Sequence, residues 1–64
     1  MISYEPLHKL LRERGLVISD FRGMLNSKTI VRINNNESVQ LRTIEKLCKE
    51  LKVPIERIVE IKFE

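Results

Sequence analysis

The sequence contains few of the residues used for metal, redox and membrane chemistry. Its one cysteine, Cys48, has no partner for an internal disulfide, and with one histidine, His8, the chain has too few soft ligands for a structural zinc site. No apolar run approaches the ~20 residues that cross a bilayer, and no signal-peptide pattern follows Met1. We therefore expect a cytoplasmic protein with no metal, no cofactor and no membrane segment.

Catalytic groupings are missing too. The chain has no Ser/His/Asp set, no carboxylate pair beside a glycine-rich loop and no phosphate-cradling motif. Cys48 is most simply a small apolar residue of a helix, and His8 an ordinary residue of a helix surface. The sequence therefore predicts neither an enzyme nor a small-molecule ligand.

Glycine and proline are scarce, with two of each in 64 residues, while 42% of the residues are hydrophobic and 33% are charged. This composition is typical of a compact, helix-rich globule. The length predicts one domain, residues 1–64, and a core of that size is marginal unless something else supports it. A second copy of the chain is the obvious support, so we expect a homodimer.

Acidic residues are absent from one part of the chain. Residues 1–32 carry six basic and three acidic side chains, whereas residues 33–64 carry six of each. No acid lies between Phe21 and Asn36, yet Arg22, Lys28 and Arg32 do. This distribution predicts a face with positive potential, which by itself is more often a solvated surface than a nucleic-acid site.

Helical periodicity is clearest in two segments. The first helix is predicted from Ser3 to Arg14, with Ser3 as its cap, Pro6 in its first turn and Gly15 as a left-handed stop. A second strong pattern runs from residue 41 to residue 52 and ends at Pro54. The apolar stripes are Tyr4, Leu7, Leu10 and Leu11 in the first segment and Leu41, Ile44, Leu47, Cys48 and Leu51 in the second.

The middle of the chain predicts two shorter helices. Ser19 or Asp20 can cap one that buries Phe21 and Leu25, although Gly23 weakens it. A turn at Asn26 and Ser27 then begins the next helix, about residues 27–35, which the asparagines from residue 34 onward end. This helix buries Ile30 and Ile33 and presents Ser27, Lys28, Val31, Arg32 and Asn35 outward.

Near the end of the sequence, the spacing of the apolar residues changes from a helical period to strict alternation. Pro54 is predicted to begin a short fifth helix that buries Ile55, Ile58 and Val59. Val59, Ile61 and Phe63 then alternate with charged residues, which indicates a half-buried strand. Its partner is either the extended residues 1–3 of the same chain or the same segment of a second chain. We favour the second arrangement, with dimerisation through Val59, Ile61 and Phe63.

Two short helices joined by a tight turn, the second polar and basic outside, form the layout of a helix-turn-helix DNA reader. The sequence resembles the Cro/XRE-type helix-turn-helix family in its short, single-domain variety, and the match covers nearly the whole chain. The family pattern is SY..L...L.ERGL, a turn, and then TI..IN.....L.TI.KLCK.L.V....I. It falls here on Ser3, Tyr4, Leu7, Leu11, Glu13, Arg14, Gly15, Leu16, Thr29, Ile30, Ile33, Asn34, Leu41, Thr43, Ile44, Lys46, Leu47, Cys48, Lys49, Leu51, Val53 and Ile58.

The chain departs from this pattern in two places. The second helix and its turn are about two residues short, with Met24 where the family has a turn glycine. Gln40 stands where a serine or threonine usually precedes the fourth helix. The first departure affects the angle between the two reading helices, and the second weakens a phosphate contact.

The resemblance implies a mainly α fold, a five-helix lambda-repressor-like bundle, here with a short C-terminal strand. It also implies a sequence-specific, repressor-like transcriptional regulator of double-stranded DNA, with residues 27–35 in the major groove. The side chains that would contact bases are Asn26, Ser27, Lys28, Val31, Arg32 and Asn35. Those that would contact phosphates are Ser19, Arg22, Thr29, Ser38, Arg42 and Thr43.

Side-chain chemistry suits this role, because Arg and Lys donate to guanine, Asn pairs with adenine and Val meets a thymine methyl. An alternative is a protein-binding module that keeps the helical bundle without DNA readout. The shortened second helix and the balanced charge of residues 33–64 favour that alternative. Salt dependence separates the two, since DNA binding weakens steeply with added salt.

Overall fold

A computed structural model of the chain describes residues 1–63. It is mainly helical, with three α-helices, two short 3₁₀ turns and a two-stranded sheet. In chain order the elements are β1 Ile2–Ser3, α1 Glu5–Glu13, a first 3₁₀ turn Ile18–Phe21, α2 Ser27–Asn34, α3 Leu41–Leu51, a second 3₁₀ turn Ile55–Arg57 and β2 Glu60–Ile61. The expectation of five helices is wrong, because the second and fifth predicted helices are these 3₁₀ turns.

α1 begins two residues later than predicted. Tyr4 is its N-cap residue, while the Ser3 hydroxyl accepts a hydrogen bond from the Glu5 N–H at 3.2 Å. The helix ends at Glu13, and Gly15 supplies the expected left-handed stop after the C-cap residue Arg14, with a φ of +70° that glycine adopts without steric cost. Beside this end, the Arg14 guanidinium donates to the Leu51 carbonyl at 2.8 Å and so joins α1 to the end of α3.

The predicted second helix does not form, because the local hydrogen bonds favour a 3₁₀ turn, which is tighter than an α-helix. The Asp20 carboxylate accepts from the Val17 N–H at 2.9 Å and closes the first 3₁₀ turn at its start. The Leu25 N–H then donates to the Phe21 carbonyl at 2.7 Å, which forms one α-type turn that does not continue. Leu25 is nevertheless buried, as its i, i+4 spacing from Phe21 predicted.

α3 matches its predicted range within one residue, but its predicted stripe does not hold at the start. Ile44, Leu47 and Leu51 are buried, whereas Leu41 is 75% exposed because the first turn extends beyond the core. Lys52 then takes a left-handed conformation and ends the helix ahead of Pro54. Ile55 is likewise 47% exposed rather than buried.

A strand near the chain end is confirmed at β2, but the predicted half-buried face is wrong, because Ile61 is 56% exposed and Phe63 is 90% exposed. β2 pairs antiparallel with β1, with Ile2 opposite Ile61 and Ser3 opposite Glu60. The partner is therefore the N-terminal segment of the same chain, the less favoured of the two alternatives. Whether Val59, Ile61 and Phe63 also join two chains stays a prediction.

One apolar core holds these elements together, and α1 and α3 both contact the second 3₁₀ turn across it. The helices in residues 1–63 are all too short or too polar to cross a membrane. The buried apolar residues are Tyr4, Leu7, Leu10, Leu11, Ile18, Leu25, Ile30, Ile33, Ile44, Leu47, Leu51 and Ile58.

Candidate nucleic-acid interface

α2 is a well-defined helix with one apolar and one polar side. Asn26 caps it in an extended conformation, and its side-chain oxygen accepts from the Thr29 N–H at 2.8 Å. Ile30 and Ile33 enter the core, with Ile33 fully buried. The predicted outward face is confirmed, since its members are all exposed: Ser27, Lys28, Val31, Arg32 and Asn35.

The C-terminal end of α2 is tied to the start of α1. Asn36 adopts a φ of +56°, and its side-chain oxygen accepts from the Tyr4 N–H at 3.1 Å. The Tyr4 hydroxyl donates to the Glu37 carbonyl at 2.7 Å, and the Glu37 N–H donates to the Arg32 carbonyl at 2.8 Å. These bonds, called here the Tyr4 clamp, fix where the chain leaves α2.

Burial raises the pKa of the Tyr4 hydroxyl above its ordinary value of 10.0, and the backbone of Val39 opposes this only in part. The hydroxyl therefore keeps its proton at neutral pH and remains a donor to Glu37. The clamp is a neutral hydrogen-bonded connection, so it holds α2 without adding charge beside the helix.

A polar groove lies between α2 and α3. It encloses about 320 Å³, and both helices contribute basic and hydroxyl side chains to it. Lys28 and Arg32 come from α2, and Lys46 comes from α3. The groove is lined by Met24, Leu25, Asn26, Lys28, Thr29, Arg32, Val39, Gln40, Thr43 and Lys46.

The cations of this polar groove have no acidic partner in the part of the chain that the structure describes. The ion pairs within residues 1–63 involve Lys49, Arg57 and Lys62, and none involves Lys28, Arg32 or Lys46. Among residues 1–63, no acidic side chain lines the groove. Three unpaired positive charges at one concave surface attract a polyanion, and low-dielectric walls strengthen that attraction.

A second, shallower depression continues the outer face of α2. It encloses about 310 Å³ and is lined by Ser27, Lys28, Val31, Arg32 and Glu37. Lys28 and Arg32 therefore border both depressions, while Val31 offers an apolar surface between charged groups. Donors and a methyl-sized apolar contact on one helix face match the edges that bases present in the major groove.

The structure brings some of the sequence-predicted base-contacting residues together and leaves others apart. Asn26, Lys28 and Arg32 line the polar groove, and Ser27 and Val31 line the adjoining depression. Asn35 is the C-cap residue of α2 and lines neither one. The predicted base contacts thus concentrate in the first two turns of α2.

The predicted phosphate-contacting residues are more dispersed. Thr29 and Thr43 line the polar groove. Ser19 belongs to the first 3₁₀ turn, Arg22 follows that turn, and Ser38 lies between α2 and α3, all outside the groove lining. Arg42 lines a different depression on the other flank of α3.

Lys46 and Gln40 are groove residues to which sequence reasoning gave no DNA contact. Gln40, Thr43 and Lys46 recur every third residue, which places them on one side of α3. That spacing could have indicated Lys46, since Thr43 was already a candidate. Within residues 1–63, no cluster of three His, Cys, Asp or Glu side chains is placed to hold a metal ion.

Comparison with known proteins identifies the family of this chain. The chain belongs to the Cro/C1-type HTH DNA-binding domain family, whose model matches residues 6–64. The chain is also similar to a crystal structure of the transcriptional regulator VanUg, with a TM-score of 0.91 and 28% sequence identity. That similarity covers 98% of this chain and 87% of the other. No curated protein sequence matches this chain.

Proposed function

We propose that the chain is a sequence-specific, double-stranded DNA-binding transcriptional regulator that acts without catalysis. The observation that carries this proposal is the polar groove, where Lys28, Arg32 and Lys46 converge without acidic partners in the described residues. Membership in a family of DNA-binding domains supports it. The similar structure, described as a transcriptional regulator, supports the regulatory role.

In this proposal α2 enters the major groove with its exposed face toward the bases. A major groove about 12 Å wide admits an α-helix. Arg32 and Lys28 donate to guanine O6 and N7, and Val31 meets a thymine methyl. Asn26 uses its side-chain oxygen for capping, which leaves its amide N–H groups to donate. Ser27 adds a hydroxyl beside them, and Asn35 reaches only the rim.

Phosphate contacts would surround this reading surface. α3 begins beside the groove at Leu41, and the first N–H groups of a helix have no partner within it and favour an anion. Thr43, Thr29 and Lys46 stand next to that site. Ser19, Arg22 and Ser38 would make outer contacts. A regulator of this size would repress by occupying an operator, and a homodimer would occupy two half-sites about one helical turn apart.

The first experiment is a selection of binding sites from random duplex DNA. Affinity for the selected duplex and for a scrambled duplex would then be measured from about 50 to 300 mM salt. We expect an enriched sequence, preferred over the scrambled duplex. We also expect log affinity to fall linearly with log salt by about 0.9 per phosphate contact.

Two outcomes would contradict the proposal. Equal affinity for both duplexes would show binding without sequence specificity. The absence of DNA binding at low salt would instead favour the protein-binding module, for which exposed Leu41 of α3 is a candidate contact.

A further inference from the structure

A second polar depression lies beside the C-terminal end of α2 and is separate from the polar groove. It encloses about 390 Å³, and it is bordered by α1, the exit of α2 and the residue after β2. We call this depression the Arg12 pocket. None of its lining residues belongs to the polar groove. The lining is formed by Ser3, Glu5, His8, Arg12, Asn34, Asn36 and Lys62.

The charged groups of the Arg12 pocket come from α1 and the chain end. Glu5, His8 and Arg12 recur at i, i+3 and i+7, which places them on one face of α1. The side chains of His8 and Arg12 form no hydrogen bond or ion pair within residues 1–63. Lys62 instead lies 2.9 Å from Glu5. The lining therefore carries two cations, and the Glu5 carboxylate already neutralises one of them.

The opposite side of the pocket supplies neutral hydrogen-bond donors. The Asn34 side chain forms no hydrogen bond within residues 1–63. Asn36 uses its side-chain oxygen to accept from the Tyr4 N–H, which leaves its amide N–H groups to donate. Ser3 is 6% exposed, and its hydroxyl accepts from the Glu5 N–H, which leaves the hydroxyl proton to be donated.

The end of α2 opposes an anion only weakly here. A helix carries partial negative charge on its last, unpaired carbonyls. The Ile33 carbonyl accepts from the Asn36 N–H at 3.2 Å, and the Arg32 carbonyl accepts from the Glu37 N–H at 2.8 Å. Because these bonds leave fewer unpaired carbonyls at this end of the helix, the full charge of Arg12 dominates the local potential.

We propose that the Arg12 pocket binds a phosphate group. A guanidinium forms two parallel hydrogen bonds to phosphate oxygens. The amide and hydroxyl groups across the pocket can donate to the remaining oxygens. A carboxylate ligand has only two oxygens and would leave the donors of one side unused, whereas a phosphate presents acceptors to both sides.

The position of the pocket favours DNA as the source of that phosphate. Ile30 and Ile33 form the buried stripe of α2. Thr29 of the polar groove lies on one side of this stripe, and Asn34 of the Arg12 pocket lies on the other. A major groove about 12 Å wide holds a helix about 10–12 Å across between two phosphate backbones. With α2 in that groove, one backbone would meet the polar groove and the other would meet the Arg12 pocket.

Glu5 limits the affinity of this site. Its carboxylate accepts from the Lys62 ammonium at 2.9 Å and lies in the same lining, so it competes with a phosphate for that ammonium. Removing the charge of Glu5 releases Lys62 to the phosphate. Glu13 pairs with Arg57 on the same helix but lies outside the Arg12 pocket, so it separates this effect from a general change of surface charge.

The choice of DNA rests on the proposed function, whereas the pocket itself is argued from the free chain. The experiment therefore has a DNA arm and a free-phosphate arm. If the unmodified chain binds no duplex, the proposed function fails, and the free-phosphate arm alone decides the pocket. If the chain binds DNA and the pocket takes no part, only the present proposal fails.

The DNA arm measures affinity for the selected and scrambled duplexes by fluorescence anisotropy over a series of chloride concentrations. Arg12→Ala removes the guanidinium, Arg12→Lys keeps the charge without the fork of donors, and Lys9→Ala is the matched control. Lys9 is an exposed cation of α1 that lies outside the Arg12 pocket. Circular dichroism checks that each variant keeps its helices.

We expect Arg12→Ala to weaken binding to both duplexes by a similar factor, about threefold to tenfold, because a phosphate contact carries no base information. The slope of log affinity against log salt should fall by about 0.9, the value for one lost phosphate contact. A merely structural role would not change that slope. Arg12→Lys should lose less than Arg12→Ala, and Lys9→Ala should behave as the unmodified chain does.

Two glutamine variants test the competition for Lys62. Glu5→Gln should strengthen DNA binding by about threefold, since an exposed ion pair of modest strength no longer holds the ammonium. Glu13→Gln removes the partner of a different cation on the same helix and should change affinity much less. Equal gains in the two variants would contradict the role of Glu5.

In the free-phosphate arm, inorganic phosphate is titrated into the DNA-free chain at constant ionic strength and followed by nuclear magnetic resonance. We expect saturable shifts of the side-chain amide signals of Asn34 and Asn36, which Arg12→Ala abolishes and Lys9→Ala leaves unchanged.

The two arms together identify the ligand. A lower affinity and a lower salt slope in Arg12→Ala support the DNA backbone. Saturable phosphate binding at the pocket, with unchanged DNA binding in Arg12→Ala, supports a free phosphate compound instead. The proposal is overturned if Arg12→Ala changes neither the salt slope nor the phosphate titration.

Discussion

Two groups of basic residues on different sides of the molecule differ in whether they form ion pairs. On the side of α1 and the sheet, Arg57 lies 3.2 Å from Glu13 and Lys62 lies 2.9 Å from Glu5. On the side of α2, Lys28 and Arg32 have no such partner within residues 1–63. Exposed ion pairs add little stability, because water screens the charges and holding two long side chains in one geometry costs entropy. Their larger effect here is to neutralise two cations beside α1 and the sheet, whereas Lys28 and Arg32 form no ion pair within residues 1–63.

The hydrogen bond between Lys62 and Glu5 dominates the titration of both groups. It lowers the pKa of Glu5 below 4.5 and raises the pKa of Lys62 above 10.5, with direct charge attraction adding to both effects. Both side chains are exposed, so the pair is a local feature of the surface. Within residues 1–63, Lys28 and Arg32 of α2 form no equivalent pair, so an anion supplied from outside can take that place.

The largest expected effect is on the core that both sides share. Leu47→Asp places a carboxylate at a fully buried position, and an unpaired buried charge costs several kcal/mol, more than a domain this small can lose. We expect loss of helical circular dichroism. Lys46→Asp, one residue away and exposed, is the control and should stay folded. Retained helicity in Leu47→Asp would show that the core is misassigned.

The next effect sharpens the contrast between paired and unpaired cations. Arg32→Ala and Lys28→Ala should each weaken binding to the selected duplex by about 1–3 kcal/mol, because each removes a proposed base contact and no core volume. Arg57→Ala removes a cation that Glu13 already neutralises, so it should leave affinity nearly unchanged. Fluorescence anisotropy at fixed salt measures all three. Equal losses in the three variants would indicate a general charge effect rather than a reading helix.

A smaller effect concerns the connection between the two sides. Tyr4→Phe removes the 2.7 Å hydrogen bond to the Glu37 carbonyl while keeping the buried ring. We expect a loss of about 1 kcal/mol in the free energy of unfolding, measured by urea titration. An additional loss of DNA affinity at a fully folded concentration of protein would show that the Tyr4 clamp positions α2. An unchanged urea midpoint would mean that the hydroxyl contributes nothing.

The smallest expected effect is on the pH dependence of stability, through the ion pair between Glu5 and Lys62. The pKa of Glu5 is lowered in the fold, so its contribution to stability is present above its unfolded pKa and is lost as pH falls through the folded pKa. In Glu5→Gln this contribution is absent at every pH. The melting temperatures of the two proteins should therefore converge below pH 4.5. Glu50→Gln, at an exposed site without an ion pair within residues 1–63, should show no such convergence.

Most of the fold and the centre of the candidate site were predictable from local pattern. Apolar spacing correctly predicted the buried faces of α1 and α2, and the Asn26 cap followed from residue preference. The second helix could not be excluded this way, because its spacing is helical and only the Asp20 contact with the Val17 N–H reveals the tighter turn. Periodicity predicts which face of a segment is apolar. It does not predict whether α-helical or 3₁₀-type hydrogen bonds form at the start of that segment.

The missed residues share a different cause. Leu41 continues the α3 stripe in sequence, yet no other element covers the first turn of that helix, so it is exposed. Lys46 looks like any surface lysine until α3 is placed beside α2. The exposure of Leu41 and the groove position of Lys46 both depend on how the helices pack, which the pattern of a single sequence does not specify. The polar groove and the depression on the other flank of α3 are therefore tertiary features beside one correctly predicted helix.

The meeting of the chain ends in the sheet also has a consequence for the order of folding. The Met1 ammonium donates to the Lys62 carbonyl at 2.9 Å across 61 positions of sequence, whereas the helices form from neighbouring residues. Closing so long a loop is entropically unfavourable until the helices have packed, so we expect β1 and β2 to pair last. Tyr4 lies between β1 and α1, and its hydroxyl donates to the Glu37 carbonyl at 2.7 Å. The Tyr4 clamp therefore connects the segment that we expect to pair last with the exit of α2, so we expect that exit to gain its full rigidity late in folding.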